Sequence, residues 1–121
     1  MADEIQMTAR LYASKNGAYL PSVTYTKSAT MVGTDMGSQT QVIGLTVEAL
    51  DVPVDVTSPY RLLISNLDNT NYVELGFVSG TYTMRIPAGE TMLICYVASG
   101  QTLYFRADTA PVTVQATFCE I

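Results

Sequence analysis

Residues 61–97 read RLLISNLDNTNYVELGFVSGTYTMRIPAGETMLICYV, and three turn signals cut this stretch into four apolar runs. Asp68-Asn69-Thr70-Asn71 separates residues 62–67 from 72–78. Ser79-Gly80 separates 72–78 from 81–86, and Pro87-Ala88-Gly89-Glu90 separates 81–86 from 92–97. Runs of this length, rich in Ile, Val, Tyr, Phe and Thr and bounded by Asn, Asp, Gly and Pro, read as β-strands. The stretch predicts a meander of four short antiparallel strands. It holds no chemical motif, so it speaks for a fold class and not for an activity.

The same patterning extends outward. Towards the C-terminus, Leu103, Phe105 and Ala107 alternate with Thr102, Tyr104 and Arg106, and Val112, Val114, Ala116 and Phe118 alternate with Thr113, Gln115 and Thr117. Each set has the period of two that marks a half-buried strand. Towards the N-terminus, residues 51–59 carry two prolines, which keep them out of a central strand. Residues 43–50 alternate and predict a strand, with a short helical turn through residues 47–50 as the competitor, since Glu-Ala-Leu is good helix material. Residues 33–41 are polar with two glycines and read as a surface loop or a partner-binding arm. Ile5, Met7, Ala9 and Leu11 alternate with polar neighbours in a half-buried strand, Lys15-Asn16-Gly17 turns the chain, and 23–28 form a more polar strand near an edge. About nine strands at 8–12-residue spacing, with no helix of normal length, predict an all-β antiparallel sandwich occupying residues 1–121 as one domain. A jelly-roll-like arrangement fits best, because the N-terminal strands need partners distant in sequence. An immunoglobulin-like sandwich is the alternative, without the Cys…Trp…Cys pattern, since the chain has no Trp.

Composition narrows the function classes. Charged residues make up 14% of the 121 and apolar ones 48%, against about 25% charged in an ordinary soluble domain. A small domain this poor in charge is expected to cover apolar surface by self-association or docking. The net charge of −5 and the lack of a basic run argue against nucleic acid and against an anionic membrane surface. No apolar run approaches the roughly 20 residues of a membrane-spanning helix. The acidic start, Met-Ala-Asp-Glu, does not resemble a signal peptide, so the protein is expected to stay in the cytoplasm or in something assembled there.

Catalytic chemistry finds little to work with. The chain has no His, which removes Ser-His-Asp and Cys-His catalysis and His-based zinc sites. Cys95 and Cys119 form no Cys-x-x-Cys pair. Cys95 is expected to be a small buried hydrophobe, and a disulfide would need residues 92–97 and 112–119 to be neighbouring strands. Asp51 and Asp55 lack the spacing of a calcium loop and read as a solvated segment. No enzyme activity, cofactor or metal is expected. The eight Tyr suit protein interfaces or stacking on sugars, with coverage of the core edges as the plainer reading.

Three segments carry a resemblance: Glu4-Ile5-Gln6-Met7-Thr8-Ala9 with Ser14-Lys15-Asn16-Gly17, then MVGTDMGSQTQVIGLTVEAL at 31–50, then LISNLDNTNYVEL at 63–75 followed by Pro87-Ala88-Gly89-Glu90. Together they resemble small structural proteins of tailed bacteriophages. The resemblance implies a virion component with no catalytic residues: a capsid decoration (cement) protein, homo-oligomeric with a trimer favoured, located on the capsid surface with the major capsid protein as partner. The alternative it leaves open is a minor head-fibre or tail module contacting host-surface glycan. The stretches unaccounted for by a compact sandwich are the expected contact surfaces: Ala2, Asp3, Glu4 and Ile5; Thr34, Asp35, Met36 and Gln39 of the 33–41 segment; and Val52, Val54 and Tyr60 of the 51–60 segment. A deletion of 33–41 is expected on this reading to remove binding and leave the β-fold intact.

Overall fold

A computed structural model of the protein describes residues 4–21 and 23–121. They fall into two compact units, residues 1–32 and 33–121.

The first unit is a β-ribbon. Strand β1 (Ile5–Leu11) pairs antiparallel with β4 (Val23–Ala29), Ile5 opposite Ala29 and Leu11 opposite Val23. Between them the two-residue strands β2 (Ser14–Lys15) and β3 (Ala18–Tyr19) close a hairpin. Asn16 and Gly17 both hold positive φ, 51° and 82°, the left-handed pair that a tight hairpin turn needs and that Asn-Gly adopts most easily. The strands and turn are where the sequence predicts them. Burial differs, because β1 buries Ile5 and half-buries Met7 while Ala9 and Leu11 stay exposed. A two-stranded ribbon has no second layer of its own to cover one face.

The second unit is an all-β sandwich. Its eight strands are β5 (Met36–Ile43), β6 (Glu48–Ala49), β7 (Tyr60–Asn66), β8 (Val73–Gly76), β9 (Met84–Ile86), β10 (Thr91–Val97), β11 (Tyr104–Ala107) and β12 (Val112–Glu120). They form two four-stranded antiparallel sheets, ordered β10-β7-β12-β5 and β6-β11-β8-β9. The pairing is nested: β5 with β12, β6 with β11, β7 with β10 and β8 with β9. The unit is thus a chain folded double along its length. The further pairs β7–β12 and β8–β11 roll that long hairpin into two sheets, which is jelly-roll connectivity.

The predicted meander over 61–97 gives way to this arrangement. β7 and β8 belong to different sheets, as do β9 and β10, so only β8–β9 is a hairpin. The turn at 68–71 arches from one sheet to the other. It is built from side chains: Asp68 Oδ2 accepts the N–H groups of Thr70 and Asn71 at 2.9 and 2.6 Å. Beneath it Asn66 is buried and fully partnered. Its Nδ2 donates to the carbonyls of Asn71 and Ile86, and its Oδ1 accepts the Asp68 N–H.

The 33–41 segment is also corrected. It is mostly strand, β5 running along β12 from Met36 opposite Cys119 to Ile43 opposite Val112. The expected strand over 43–50 shrinks to the end of β5 and the two residues of β6. Residues 50–59 carry no strand, as the prolines require.

Alternate residues of β7 and β12 meet the opposing sheet in the core, joined by Ile43 at the end of β5 and Val97 at the end of β10. Leu62 and Ile64 of β7, Val114 and Phe118 of β12, and Leu75 and Phe105 of the opposing sheet are all fully buried. Tyr60 packs edge-to-face on Phe118, ring centroids 5.3 Å apart and planes at 74°. Gly76 is buried where a Cβ would overlap the carbonyl oxygen of Thr81, so the tight β8–β9 crossing admits no larger residue.

Candidate functional site: an uncharged sheet face

The outer face of the β10-β7-β12-β5 sheet follows from the alternation that builds the core. Every second residue points away from it. On β12 these are Thr113, Gln115, Thr117 and Cys119, and on β7 they are Arg61, Leu63 and Ser65. β5 adds Met36, Ser38, Thr40 and Val42, all exposed, and β10 adds Thr91 and Leu93. Among the described residues of this face Arg61 is the single charge, and its Nη1 donates to the carbonyl of Cys95 at 3.0 Å.

The polar groups bond to one another across strands. Ser38 Oγ lies 3.1 Å from Thr117 Oγ1, Gln115 Nε2 donates to Ser38 Oγ at 3.3 Å, and Ser65 Oγ lies 2.9 Å from Thr91 Oγ1. Burial pushes the Cys119 thiol up from its ordinary range, so it stays neutral. The result is a face of methyl groups and mutually bonded hydroxyls with Leu63 near its centre, flanked by Leu93 on β10 and Thr117 on β12. Such a face loses little on desolvation, because few charges must be stripped of water.

The opposite sheet has a different outer face. Glu74 of β8 sits between Arg85 of β9 and Arg106 of β11. Its oxygens lie 3.4 Å from Arg85 Nη2 and 3.0 Å from Arg106 Nη2. Each guanidinium also lies against a ring: Arg85 is 3.8 Å from the centroid of Tyr72, and Arg106 is 4.7 Å from that of Tyr82. The five side chains satisfy one another. Cations lie over Tyr72 and Tyr82 where a sugar would stack, which weakens the glycan reading for these two. Both guanidiniums are largely exposed, so Glu74→Gln is expected to cost no more than about 1 kcal/mol, less at high salt. Chemical denaturation at low and high ionic strength would check this.

The expected contact residues distribute unevenly. Ala2 and Asp3 lie outside the described residues. Glu4 is exposed and its Oε2 accepts the Met31 N–H at 3.2 Å, while Ile5 is buried. Thr34 and Asp35 donate their N–H groups to Glu120 Oε1 at 3.1 and 3.2 Å. Met36 opens β5 on the uncharged face, and the Gln39 amide instead donates to the carbonyl of Asp51. Val52 packs against the core, and Val54 is 93% exposed. Tyr60 is corrected outright: it is 3% exposed and holds the core beside Phe118. The structure does bring the 33–41 and 51–60 segments together. Glu120 joins them, since its Oε2 accepts both the N–H and the hydroxyl of Thr57 at 2.8 Å.

The face centred on Leu63 and Thr117 was legible in the alternation of 61–65 and 113–119, but reading those strands for their buried side alone passes over it. Cys95 is corrected too. It is exposed, and β7 lies between β10 and β12, so no disulfide joins the two cysteines. Two strand spacings come to about 10 Å, beyond disulfide reach. No group of three or more His, Cys, Asp or Glu side chains able to hold a metal occurs among the described residues.

The chain matches no family model, no curated protein and no solved structure.

Proposed function

We propose that the protein is a non-enzymatic decoration protein of a tailed-phage capsid, which binds the outer shell through the uncharged face of the β10-β7-β12-β5 sheet. The observation that carries this reading is that face: four strands wide, with Arg61 as its one charge among the described residues and hydroxyls already bonded to one another. The occupant, the outer surface of the major capsid protein, comes from the phage resemblance of 4–17, 31–50 and 63–75. The mechanism is mass action, because a ligand that binds only the assembled shell stabilises it against rupture. Association into homo-oligomers, with three-fold symmetry favoured, would place several such faces on symmetry-related shell sites and add avidity.

Quantitative mass spectrometry of purified phage particles tests the proposal. The expected result is a large symmetric copy number relative to the most abundant shell protein. A handful of copies per particle would move the protein to a fibre or tail and make glycan binding the leading reading. Absence from particles would sink the virion assignment.

A further inference from the structure

The β-ribbon of the first unit poses a problem of its own. Two strands joined by a hairpin are at best marginally stable in water when nothing covers them. This ribbon exposes apolar side chains along one face. Ala9 stands opposite Tyr25 and Leu11 opposite Val23, and with Leu20 they line a shallow apolar hollow. Tyr25 is 72% exposed and Leu11 77%. Three of the four exposed tyrosines among the described residues, Tyr12, Tyr19 and Tyr25, belong to the ribbon.

Charge says what covers it. The first unit, residues 1–32, carries Arg10, Lys15 and Lys27 against Asp3 and Glu4, a net +1, with all three cations between 10 and 27. Residues 33–121 carry nine carboxylates against Arg61, Arg85 and Arg106, a net −6. The negative unit also has an apolar surface segment with acids set into it. Leu45, Val47 and Val54 are exposed within 45–55, and Asp51 and Asp55 are exposed beside them. Asp51 is held there through its backbone, the N–H donating to Gln41 Oε1 and the carbonyl accepting from Gln39, so its carboxylate is not used in these bonds. This segment flanks β6, a two-residue edge strand. On the ribbon Arg10 borders the apolar hollow, Lys27 stands opposite Met7 and Lys15 lies beside the hairpin turn. On the sandwich Asp51 and Asp55 stand beside Leu45, Val47 and Val54, so the two surfaces offer apolar groups with charges of opposite sign.

We infer that the ribbon of one copy docks on the 45–55 segment of a second copy, so that the chain self-associates by exchanging arms. This goes beyond the shell-binding reading and does not depend on it, since it involves only this chain and a different surface from the Leu63 face.

The test uses the full chain. Equal amounts of unlabelled and ¹⁵N-labelled protein are mixed and treated with a carbodiimide, which joins a lysine amine to a carboxylate in direct contact with loss of water. Links from Lys15 or Lys27 to Asp51 or Asp55 are expected, with both isotopes in one linked pair. Sedimentation should show an oligomer that weakens with salt. Reversing the arm charges (Arg10→Glu, Lys15→Glu, Lys27→Glu) should weaken association about 100-fold or more. Adding Asp51→Lys and Asp55→Lys to the reversed arm should restore it, which a merely misfolded variant would not do. A monomer at every concentration, links confined to single-isotope pairs, or failure of the charge swap to rescue a folded variant would each overturn the inference. Particle copy number bears on none of these readouts, so the two proposals can fail separately.

Discussion

Glu120→Ala should lower the melting temperature by about 10 °C or more, because one carboxylate closes the end of the sandwich. Glu120 is the last residue of β12 and is 7% exposed. Its Oε1 accepts the N–H groups of Thr34 and Asp35, and its Oε2 the N–H and hydroxyl of Thr57. Its own N–H donates to the Asp35 carbonyl at 3.1 Å. Alanine would leave those donors without their acceptor at a part-buried site, and a hydrogen bond left unmade away from water costs more than a made one contributes. Gly33 reports on the same packing. A Cβ there would stand 2.7 Å from Glu120 Cβ and overlap its Oε1, so Gly33→Ala should displace the carboxylate and reproduce part of the loss.

The same bonds set a pH dependence. The N–H and hydroxyl of Thr57, with the N–H groups of Asp35 and Thr34, hold the Glu120 carboxyl below its usual range. A carboxylate with its folded pKa below its unfolded one contributes stability fully above the unfolded value, about 4.3 for glutamate, and loses it as pH falls through the folded value. Asp68, held low by the N–H groups of Asn71 and Thr70, acts with the same sign. Stability should therefore be flat from neutral pH to about 5 and fall steeply below about 4. Glu120→Gln should be weaker than the parent at pH 7 and approach it in acid, where the parent carboxylate has also lost its charge. Denaturant titrations of both proteins across that range are the measurement. Parallel curves would mean that Glu120 is not the group being titrated.

These connections also show where sequence reading reaches its limit. Alternation at 112–118 and the turn-bounded apolar run at 62–67 both identified strands correctly, because a period of two depends only on one face being buried and turn residues mark where a run must end. The turn residues of 68–71 and 87–90 were found as turns, but composition does not separate a hairpin from an arch between sheets. Asp68 and Asn71 serve both, and the arch is decided by Asn66 reaching two carbonyls from within the core. Residues 33–41 looked like a loop because β5 is an edge strand whose outward side chains are Met, Ser, Thr and Val, and edges tolerate polar residues and glycine. Deleting 33–41 would remove most of the strand that pairs with β12 and two of the donors to Glu120, those of Thr34 and Asp35, so it tests the fold and not the contact. Tyr60 was grouped with the 51–60 segment as a contact residue, yet it begins the inward register of β7.

A charge placed at the centre of the uncharged face is the sharper test of docking. Leu63→Glu is expected to weaken binding to decoration-free shells by about 100-fold or more, because the new carboxylate must be desolvated against a partner surface with no cation supplied for it. Leu63 is 42% exposed and points away from the core, between Leu93 and Thr117. Substitutions at such positions usually change stability by less than about 0.5 kcal/mol, so the melting temperature and circular dichroism should stay those of the parent. Thr117→Lys, one strand over and of opposite sign, should act in the same direction, since the cost lies in desolvation and not in the sign of one new pair. Co-sedimentation with shells, scored by bound copies per shell subunit, reads both. Full binding by two folded variants would show that the shell contact lies elsewhere. The 51–60 segment with its exposed Val54 would then be the surface to alter next. Loss of binding with unchanged self-association would separate the shell contact from the arm contact, as their positions on different elements require.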